Sequence, residues 1–372
     1  MKTVNFVFYI SILFLAACSN DVQPSTPSIG NLKMDVNIED VSYPDQVKVY
    51  EANYIELDVN DVTDLLIKNE IIDDEIYAMG HQFQTDTESL IIYDGGEAMG
   101  MQSGVNGGFL YIHRPTNDMI DYYTIASIHA GPPLLDAQLD KYNQNKDFAT
   151  FQDLDFKPYK EAEKEIDSVL SSIGIEGIQT ELVYALDTET MKQHEALYRK
   201  LDTETDLKDV NWNSNQEAYL FISRQQIDNI PLINFIWQEK TRDVEEATET
   251  EVYAIYNSNG IHQLSVTNYF SIVDSQAPVD ILNLSEALDI AEKYYSSIIL
   301  SKGTVMDKAE LFYIAIEQNH SYKLTPAWVF QLVKESETPD TPNSKPEKYV
   351  DYSYFVIDAI TGDILTQTGE SQ

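Results

Sequence analysis

Residues 355–365 read FVIDAITGDIL and carry the strongest fold signal in the chain. A run of aromatic and β-branched residues comes first, Gly362 offers a turn, and a second apolar run follows, which predicts a β-hairpin. Residues 253–266 have the same layout around Gly260. The sequence therefore predicts two hairpins, and each of them closes a longer segment of similar organisation.

Each predicted hairpin is preceded by an amphipathic helix and by strand-like segments in the same order. Apolar residues recur at helical spacing in the predicted helices, and aromatic and β-branched residues dominate the predicted strands. The matching pairs are the helices 159–173 and 284–297, the first strands 182–186 and 311–315, and the second strands 218–222 and 327–331. This order predicts two copies of one unit, with an insertion at 192–215 in the first copy. A chance run of similar elements is the alternative.

The fold class predicted from this pattern is α+β, with tandem units in which a helix packs on a small antiparallel sheet. The two units span residues 151–275 and 276–372. Before them, residues 32–150 are predicted to form a mixed α/β N-terminal region. That region has strand-like segments at 47–57, 89–93 and 109–113 and a short helix from 60 to 68.

The start of the chain has the layout of a secretory signal. Lys2 supplies a positive charge, an apolar run follows, and small residues close residues 1–17, which together predict a cleaved signal peptide. Residues 15–18 read LAAC and resemble the lipobox of bacterial lipoproteins. The resemblance implies that the Cys18 thiol is the lipidation site, which takes a diacylglyceryl group, and that the bond before it is cut. Such acyl chains, palmitate among them, would hold the protein to the extracytoplasmic face of the cell membrane.

Cys18 is the only cysteine, so no disulfide can form within the chain. Residues 18–31 are otherwise polar with two prolines, and this composition predicts a tether between the lipid and the folded part. The chain has 24 basic and 62 acidic residues, a formal net charge of −38. Such a surface repels nucleic acid and anionic headgroups, so we expect no nucleic-acid partner and attachment to the membrane through the lipid anchor alone.

The second predicted unit resembles the PepSY-type domain of bacterial envelope proteins. The resemblance rests on residues 284–291 (LSEALDIA), 326–330 (PAWVF) and 355–365. Two such units behind a membrane anchor are similar to the YycH and YycI type of extracytoplasmic regulator, which acts on a sensor kinase in Gram-positive bacteria. Those regulators are anchored by a transmembrane helix, whereas this chain is predicted to be anchored by a lipid. The chain is also similar to uncharacterised lipoproteins of low-GC Gram-positive bacteria.

A glycine-rich stretch at 95–108 is the most unusual internal segment. Six of the fifteen glycines lie in these fourteen residues. Glycine permits close approach of the backbone to a ligand, but it also suits a loop between two strands. The segment has no lysine and no helix after it, so it does not match a phosphate-binding loop, and the loop interpretation is favoured.

The motifs of common catalytic and metal sites are missing. His194 and Glu195 are followed by Tyr198 where a zinc protease would have a second histidine, and the other histidines are scattered. Ser103 lies one place too late for a nucleophile elbow. With 62 acidic residues, carboxylate pairs at any spacing are expected by accident. The sequence therefore predicts no catalytic residue, no metal site and no cofactor.

These observations predict a lipid-anchored protein of the cell envelope that is not an enzyme. The favoured function is binding of an envelope protein partner in a regulatory or scaffolding role. The alternative is an envelope hydrolase or a glycan-binding lipoprotein with a site near the glycine-rich loop at 95–108.

Overall fold

The computed structural model describes residues 28–29, 32–57, 59–67, 71–80, 85–93, 99–104, 107–113, 122, 147–201, 210–234, 237, 250–298, 300, 302–318, 321–337 and 348–365. Strands make up 49% of the structure and helices 23%. None of the helices in the described part is both long enough and apolar enough to cross a membrane.

The described strands form two large sheets and one small sheet. The seven-stranded sheet contains β1 (Ser28–Ile29), β2 (Leu32–Met34), β4 (Tyr50–Tyr54), β15 (Phe270–Ser275), β17 (Thr304–Gln318), β18 (Ser321–Glu337) and β19 (Lys348–Asp358). The ten-stranded sheet contains β5 (Ile71–Gly80), β6 (Thr85–Tyr93), β7 (Met99–Gly104), β8 (Gly108–Ile112), β9 (Ala149–Thr150), β10 (Ile178–Leu186), β11 (Ala218–Ile227), β12 (Ile230–Pro231), β13 (Glu251–Asn257) and β14 (Gly260–Thr267). The small sheet pairs β3 (Gln46–Val47) with β16 (Val279–Asp280). The described α-helices are α1 (Val59–Leu66), α2 (Tyr159–Ser172), α3 (Thr188–Leu201) and α4 (Leu284–Ser296), and short 3-10 helices lie at Ile38–Asp40 and Ser214–Gln216.

In the seven-stranded sheet, the strands run in the order β1-β2-β17-β18-β4-β15, and β19 also pairs with β18. The ten-stranded sheet has the order β5-β6-β7-β8-β14-β13-β11-β10-β9, with β12 paired to β11. All of these pairings are antiparallel except that of β2 with β17. Both sheets therefore combine strands that are far apart in the sequence.

Helix α4 packs on the seven-stranded sheet through one apolar stripe. Leu284, Ala287 and Ala291 are 0% exposed, and their spacing of three and four residues places them on one face of the helix. Opposite them, Trp328 of β18 is also 0% exposed, and its indole Nε1 donates to the carbonyl of Leu282 at 2.9 Å. This contact ties the start of α4 to the centre of the sheet.

A capping box fixes where α4 begins. The Asn283 side-chain oxygen accepts from the Glu286 backbone N–H at 3.0 Å. The Glu286 carboxylate in turn accepts from the Asn283 backbone N–H at 2.9 Å. Two N–H groups that the helix cannot satisfy internally are thereby paired.

Helix α2 packs on the ten-stranded sheet in a similar manner. Its residues Ala162, Ile166 and Leu170 are buried against a cluster that includes Val183 of β10 and Tyr219 of β11. Both of these strand residues are 0% exposed. Each large sheet therefore has its own apolar core beneath one helix.

The predicted fold class is nevertheless wrong. The chain is mostly β and is built from large multi-stranded sheets, not from tandem helix-on-antiparallel-sheet units behind a separate mixed α/β region. Strands from residues 32–150 enter both sheets, since β2 and β4 join the seven-stranded sheet and β5 to β8 join the ten-stranded sheet. Strand β15 leaves the segment 151–275 and pairs with β4.

The physical reason for this error is that pairing partners are distant in sequence. Phe270 faces Tyr54 across β15 and β4, and Val266 faces Phe109 across β14 and β8. Local patterns of apolar and polar residues predict where strands lie, but they do not encode which strand pairs with which. Strands within each predicted unit do pair, as in β10-β11-β13-β14 and β17-β18-β19. The repeated order of elements did not indicate that strands from residues 32–150 enlarge both sheets.

The chain crosses from the ten-stranded to the seven-stranded sheet between β14 and β15. Asn268 has a left-handed φ of 54°, which turns the backbone there. The buried side chain of Gln225 then holds Phe270 at both backbone groups: its Nε2 donates to the carbonyl at 2.7 Å, and its Oε1 accepts from the N–H at 3.0 Å. The Tyr269 hydroxyl donates to the carbonyl of Glu176 at 2.6 Å. These bonds fix the crossing point.

Gln225→Leu is expected to destabilise the protein by about 2–5 kcal/mol, because it leaves two buried backbone groups of Phe270 unpaired. The measurement is the free energy of unfolding in urea. Gln226→Leu is the matched control, since Gln226 is the next residue of β11 and is only half-buried. An equal effect of both substitutions would contradict the role of Gln225 at the crossing.

Candidate functional site

The predicted lipidation site lies outside the described residues. Cys18 and the rest of residues 1–27 are not among them, so lipidation stays a prediction. Strand β1 falls inside the segment predicted as a tether, and it pairs with β2 through Ser28 opposite Lys33. The sheet therefore begins ten residues after the predicted anchor at Cys18.

The glycine-rich stretch contributes to strands where it is described. Residues 99–104 form β7, which pairs with β6 and β8, while residues 95–98 and 105–106 are outside the described part. A Cβ atom on Gly108 would lie 1.8 Å from the Val266 carbonyl oxygen, and one on Gly107 would lie 2.6 Å from that of Tyr269. These two glycines allow β8 to approach β14 and the crossing point closely.

His194 is an internal residue. Its side chain is 1% exposed, and its Nε2 lies 2.9 Å from a carboxylate oxygen of Asp147. The ring also packs against Phe148 with the centroids 4.7 Å apart. In the described ranges, no three His, Cys, Asp or Glu side chains come together as a metal site.

A second polar cluster joins α2 to the ten-stranded sheet. The Lys157 ammonium donates to a Glu165 carboxylate oxygen at 2.6 Å and to the Tyr256 hydroxyl, which itself donates to Glu165. The hydrogen bond from Lys157, reinforced by that from Tyr256, holds the pKa of Glu165 below its usual value. Lys157 therefore forms an ion pair with Glu165. This arrangement is more consistent with a structural contact between helix and sheet than with a nucleophilic role for the lysine.

The most accessible apolar residues of a sheet edge lie on β15. In the part of the chain that is described, β15 pairs with β4 and with no other strand, so its second edge is open. Ile272 is 42% exposed and Val273 is 58% exposed. A bulge between Ile272 and Asp274 interrupts the register with β4. This edge presents apolar side chains beside backbone groups that strand pairing does not satisfy.

A polar cleft of about 440 Å³ adjoins this edge. It is formed by β4, the end of β15 and the hairpin between β17 and β18. Its lining residues are mostly carboxylates, amides and hydroxyls: Tyr50, Glu51, Asp274, Ser275, Gln276, Gln318, Ser321, Tyr322 and Lys323. Neither histidine nor cysteine is among them.

Three charged residues of the cleft lie in one row across three strands. Glu51 of β4 is opposite Lys323 of β18 on one side and opposite Asp274 of β15 on the other. The Ser321 hydroxyl donates to the Glu51 carboxylate at 3.3 Å. Opposed like charges on neighbouring strands destabilise a sheet, so the Glu51 and Asp274 pair is costly in the free protein.

The two tyrosines of the cleft are turned towards the core. Tyr50 is 6% exposed and Tyr322 is 8% exposed, and both belong to the apolar cluster beneath α4. The Tyr50 hydroxyl donates to the carboxylate of Asp228, and burial together with this bond raises the pKa of Tyr50 well above its ordinary value. The cleft therefore has a rigid floor but no exposed aromatic face.

No protein-family model and no curated protein matches the sequence. The structure is similar to the crystal structure of an uncharacterized protein from Eubacterium rectale, determined at 1.45 Å resolution. The TM-score is 0.58 and the sequence identity 17%, and the alignment covers 91% of this chain and 91% of that chain. At this identity, the likeness concerns architecture alone, because one fold hosts many functions. The chain therefore shares its fold, over nearly its whole length, with a solved bacterial protein.

Proposed function

We propose that this chain is a lipid-anchored protein on the extracytoplasmic face of a bacterial membrane. In this proposal it binds an extended segment of an envelope protein at the open edge of β15, in a regulatory or scaffolding role and without catalysis. The observation that carries the proposal is the exposure of Ile272 and Val273 on that edge. The membrane placement depends on the lipobox-like residues 15–18.

An open strand edge is a ready template for another strand. Proteins usually protect such edges with charged side chains, proline, bulges or very short strands, because unpaired N–H and C=O groups invite pairing. Strand β15 has six residues and contains neither lysine nor proline, and its bulge and Asp274 leave the apolar residues Ile272 and Val273 exposed on the edge. Extended peptides bind such edges by adding a strand, with backbone hydrogen bonds for affinity and side-chain contacts for specificity.

The negative charge of the chain indicates which kind of partner segment it would attract. The chain has a net charge of −38, and the β15 edge lies beside the carboxylates of Asp274 and Glu51. An extended segment that carries lysine or arginine is therefore attracted, whereas an acidic segment is repelled. A partner in the same membrane would also be held at a high effective concentration, so a weak contact would suffice.

Crosslinking in intact cells tests this proposal. A photoreactive amino acid replaces Val273 in the lipid-anchored chain, and the captured protein is identified by mass spectrometry. The same residue at position 151 is the control, because Phe151 is 44% exposed but adjoins β9 of the other sheet. We expect capture of one envelope protein at position 273 and not at position 151. Equal capture of the same protein at both positions would contradict the proposal.

Val273→Lys should reduce capture about tenfold when the photoreactive residue is placed at position 272, because the new ammonium would be desolvated at the interface and would repel a basic segment. Phe151→Lys adds the same charge to the other sheet and should leave capture unchanged. The amount of crosslinked product on a gel is the measurement. Undiminished capture by Val273→Lys would remove β15 as the binding edge.

A further inference from the structure

The bulge in β15 decides which side chain faces Glu51. Ile272 pairs with Ala52, and the next paired residue is Asp274, opposite Glu51. Val273 is the extra residue, and without the bulge it would occupy the position opposite Glu51. The bulge therefore places a carboxylate, and not an apolar group, beside Glu51 in the cleft.

The charged side chains of the row form no ion pair within the part of the chain that the structure describes. Among the described residues, no ion pair involves Lys323, Glu51 or Asp274, although Lys323 and Glu51 are cross-strand neighbours. Strands lie about 4.8 Å apart, so the row spans about 10 Å between the Cα atoms of its outer members. The row thus combines charges of both signs within the dimensions of a small molecule. Its two carboxylates accept hydrogen bonds from the Ser321 hydroxyl and from the Ser275 backbone N–H, which are neutral groups.

The cleft is polarised along this row. Its β18 end has the Lys323 ammonium and lies beside the Gln318 amide, and both groups can donate to a carboxylate. Asp274 at the β15 end and Glu51 in the middle of the row are acidic, and the space between them suits an ammonium group. A ligand with opposite charges at its two ends would satisfy both halves and would relieve the repulsion between the two carboxylates.

Other ligand classes fit the cleft less well. Sugars are commonly bound against exposed aromatic faces, but the rings of Tyr50 and Tyr322 are buried in the core. A divalent cation would take six to eight oxygen ligands as calcium, and it would be repelled by the ammonium of Lys323. An anion would meet two carboxylates. The presence of both positive and negative charge in the row is what favours a ligand with both charges over a sugar, a cation or an anion.

We infer that the cleft lined by Glu51, Asp274 and Lys323 binds a small zwitterion, in which an ammonium and a carboxylate group are a few ångströms apart. Free amino acids and dipeptides have this chemistry, and about 440 Å³ accommodates either of them. The ammonium lies between Glu51 and Asp274, and the carboxylate accepts from Lys323. The inference goes beyond the proposed partner binding and does not depend on it.

Thermal unfolding and calorimetric titration of the purified full-length mature chain test this inference. The probes are the twenty free amino acids and the dipeptide alanylalanine at millimolar concentration. Propylamine and propionate, each with one of the two charges, and N-acetylglucosamine are the comparison compounds. We expect at least one zwitterion to raise the unfolding temperature and to bind in the titration, with a clear preference over propylamine and propionate. Binding of the dipeptide but of no free amino acid would show that the zwitterion is a short peptide and not a free amino acid.

Charge-removing variants separate the cleft from the rest of the surface. Glu51→Gln, Asp274→Asn and Lys323→Gln should each weaken binding at least about tenfold. Glu51→Gln should also unfold, when free, at the same temperature as the wild type or above it, because the like-charge pair is removed. The controls Lys334→Gln and Asp351→Asn make the same charge changes at a pair of opposed residues on β18 and β19, away from the cleft.

Three results would overturn the inference: no binding of any zwitterion at millimolar concentration, equal binding of propylamine, or equal weakening by the control variants. Binding of N-acetylglucosamine alone would assign the cleft to glycans instead. None of these results bears on crosslinking at position 273, so failure of the zwitterion site is distinguishable from failure of the proposed partner binding.

Discussion

Replacing Cys18 with alanine is expected to abolish fatty-acid labelling of the protein and to leave its signal peptide uncut. Cys18 is the only cysteine among 372 residues, so Cys18→Ala retains no thiol that could accept the lipid. Cells are grown with an alkyne analogue of palmitate, and the labelled protein is detected on a gel. The uncut precursor is recognised there by its larger mass.

Ala17→Gly is the matched control for this experiment. It keeps a small residue before the bond that is cut, so processing and labelling should continue as in the wild type. Equal labelling of Cys18→Ala and the wild type would remove the lipoprotein assignment, but not the secretion that residues 1–17 predict. The crosslinking experiment on β15 would then have to be repeated on the protein released from the cells.

The largest loss of stability is expected from Trp328→Ala, at about 3–5 kcal/mol, because a fully buried indole is replaced by a methyl group. The ring packs edge-on against Tyr43 with the centroids 4.8 Å apart, and its Nε1 bonds the Leu282 carbonyl. Since proteins of this kind are stable by about 5–15 kcal/mol, the variant loses a large part of its folding free energy. Urea unfolding followed by far-ultraviolet circular dichroism measures the loss.

Trp328→Phe separates the contribution of ring packing to stability from that of the Nε1 hydrogen bond. It keeps an aromatic ring in the core but leaves the Leu282 carbonyl without its donor, which costs about 1–3 kcal/mol. We therefore expect the order wild type, Trp328→Phe, Trp328→Ala in decreasing stability. A smaller loss in Trp328→Ala than in Trp328→Phe would contradict the central position of the indole in the core.

The elements of this fold were more predictable than their arrangement. The predicted helices 159–173 and 284–297 are observed as Tyr159–Ser172 and Leu284–Ser296, and the hairpin around Gly260 is observed as β13 and β14. Each of these features has a local cause: a 3.6-residue apolar period in the helices and a turn glycine between strands. Short-range patterns were sufficient for them.

Other features were missed where the local signal misleads. Residues 192–215 were predicted as an insertion in loops, but Thr188–Leu201 forms α3. In the final hairpin, the return strand is reduced to one bridge between Ile357 and Ile364. Propensity alone does not decide such segments, because contacts with the rest of the fold outweigh it.

The candidate site could not be predicted from the sequence. The segment 47–57 was predicted as a strand, and its alternation already places Glu51 on the face opposite Tyr50 and Ala52. What brings Asp274 and Lys323 beside Glu51 is the register of β15 and β18 on β4. That register joins residues more than two hundred positions apart, and no local pattern specifies it.

The strand order of the seven-stranded sheet limits how far the open edge of β15 can lie from the bilayer. The chain enters this sheet at β1, on one edge, while β15 lies at the opposite edge, about 24 Å away across five strand spacings. The two edges are also about 33 Å apart along the strands, because β2 lies level with Val333 of β18 and β4 lies level with Lys323. If Cys18 carries the lipid, the ten residues to Ser28 add a reach of at most about 35 Å. The open edge can therefore stand at most about 75 Å above the headgroups. A segment of the proposed partner would be within reach of this edge at any height up to that limit, so the partner need not end flush with the membrane.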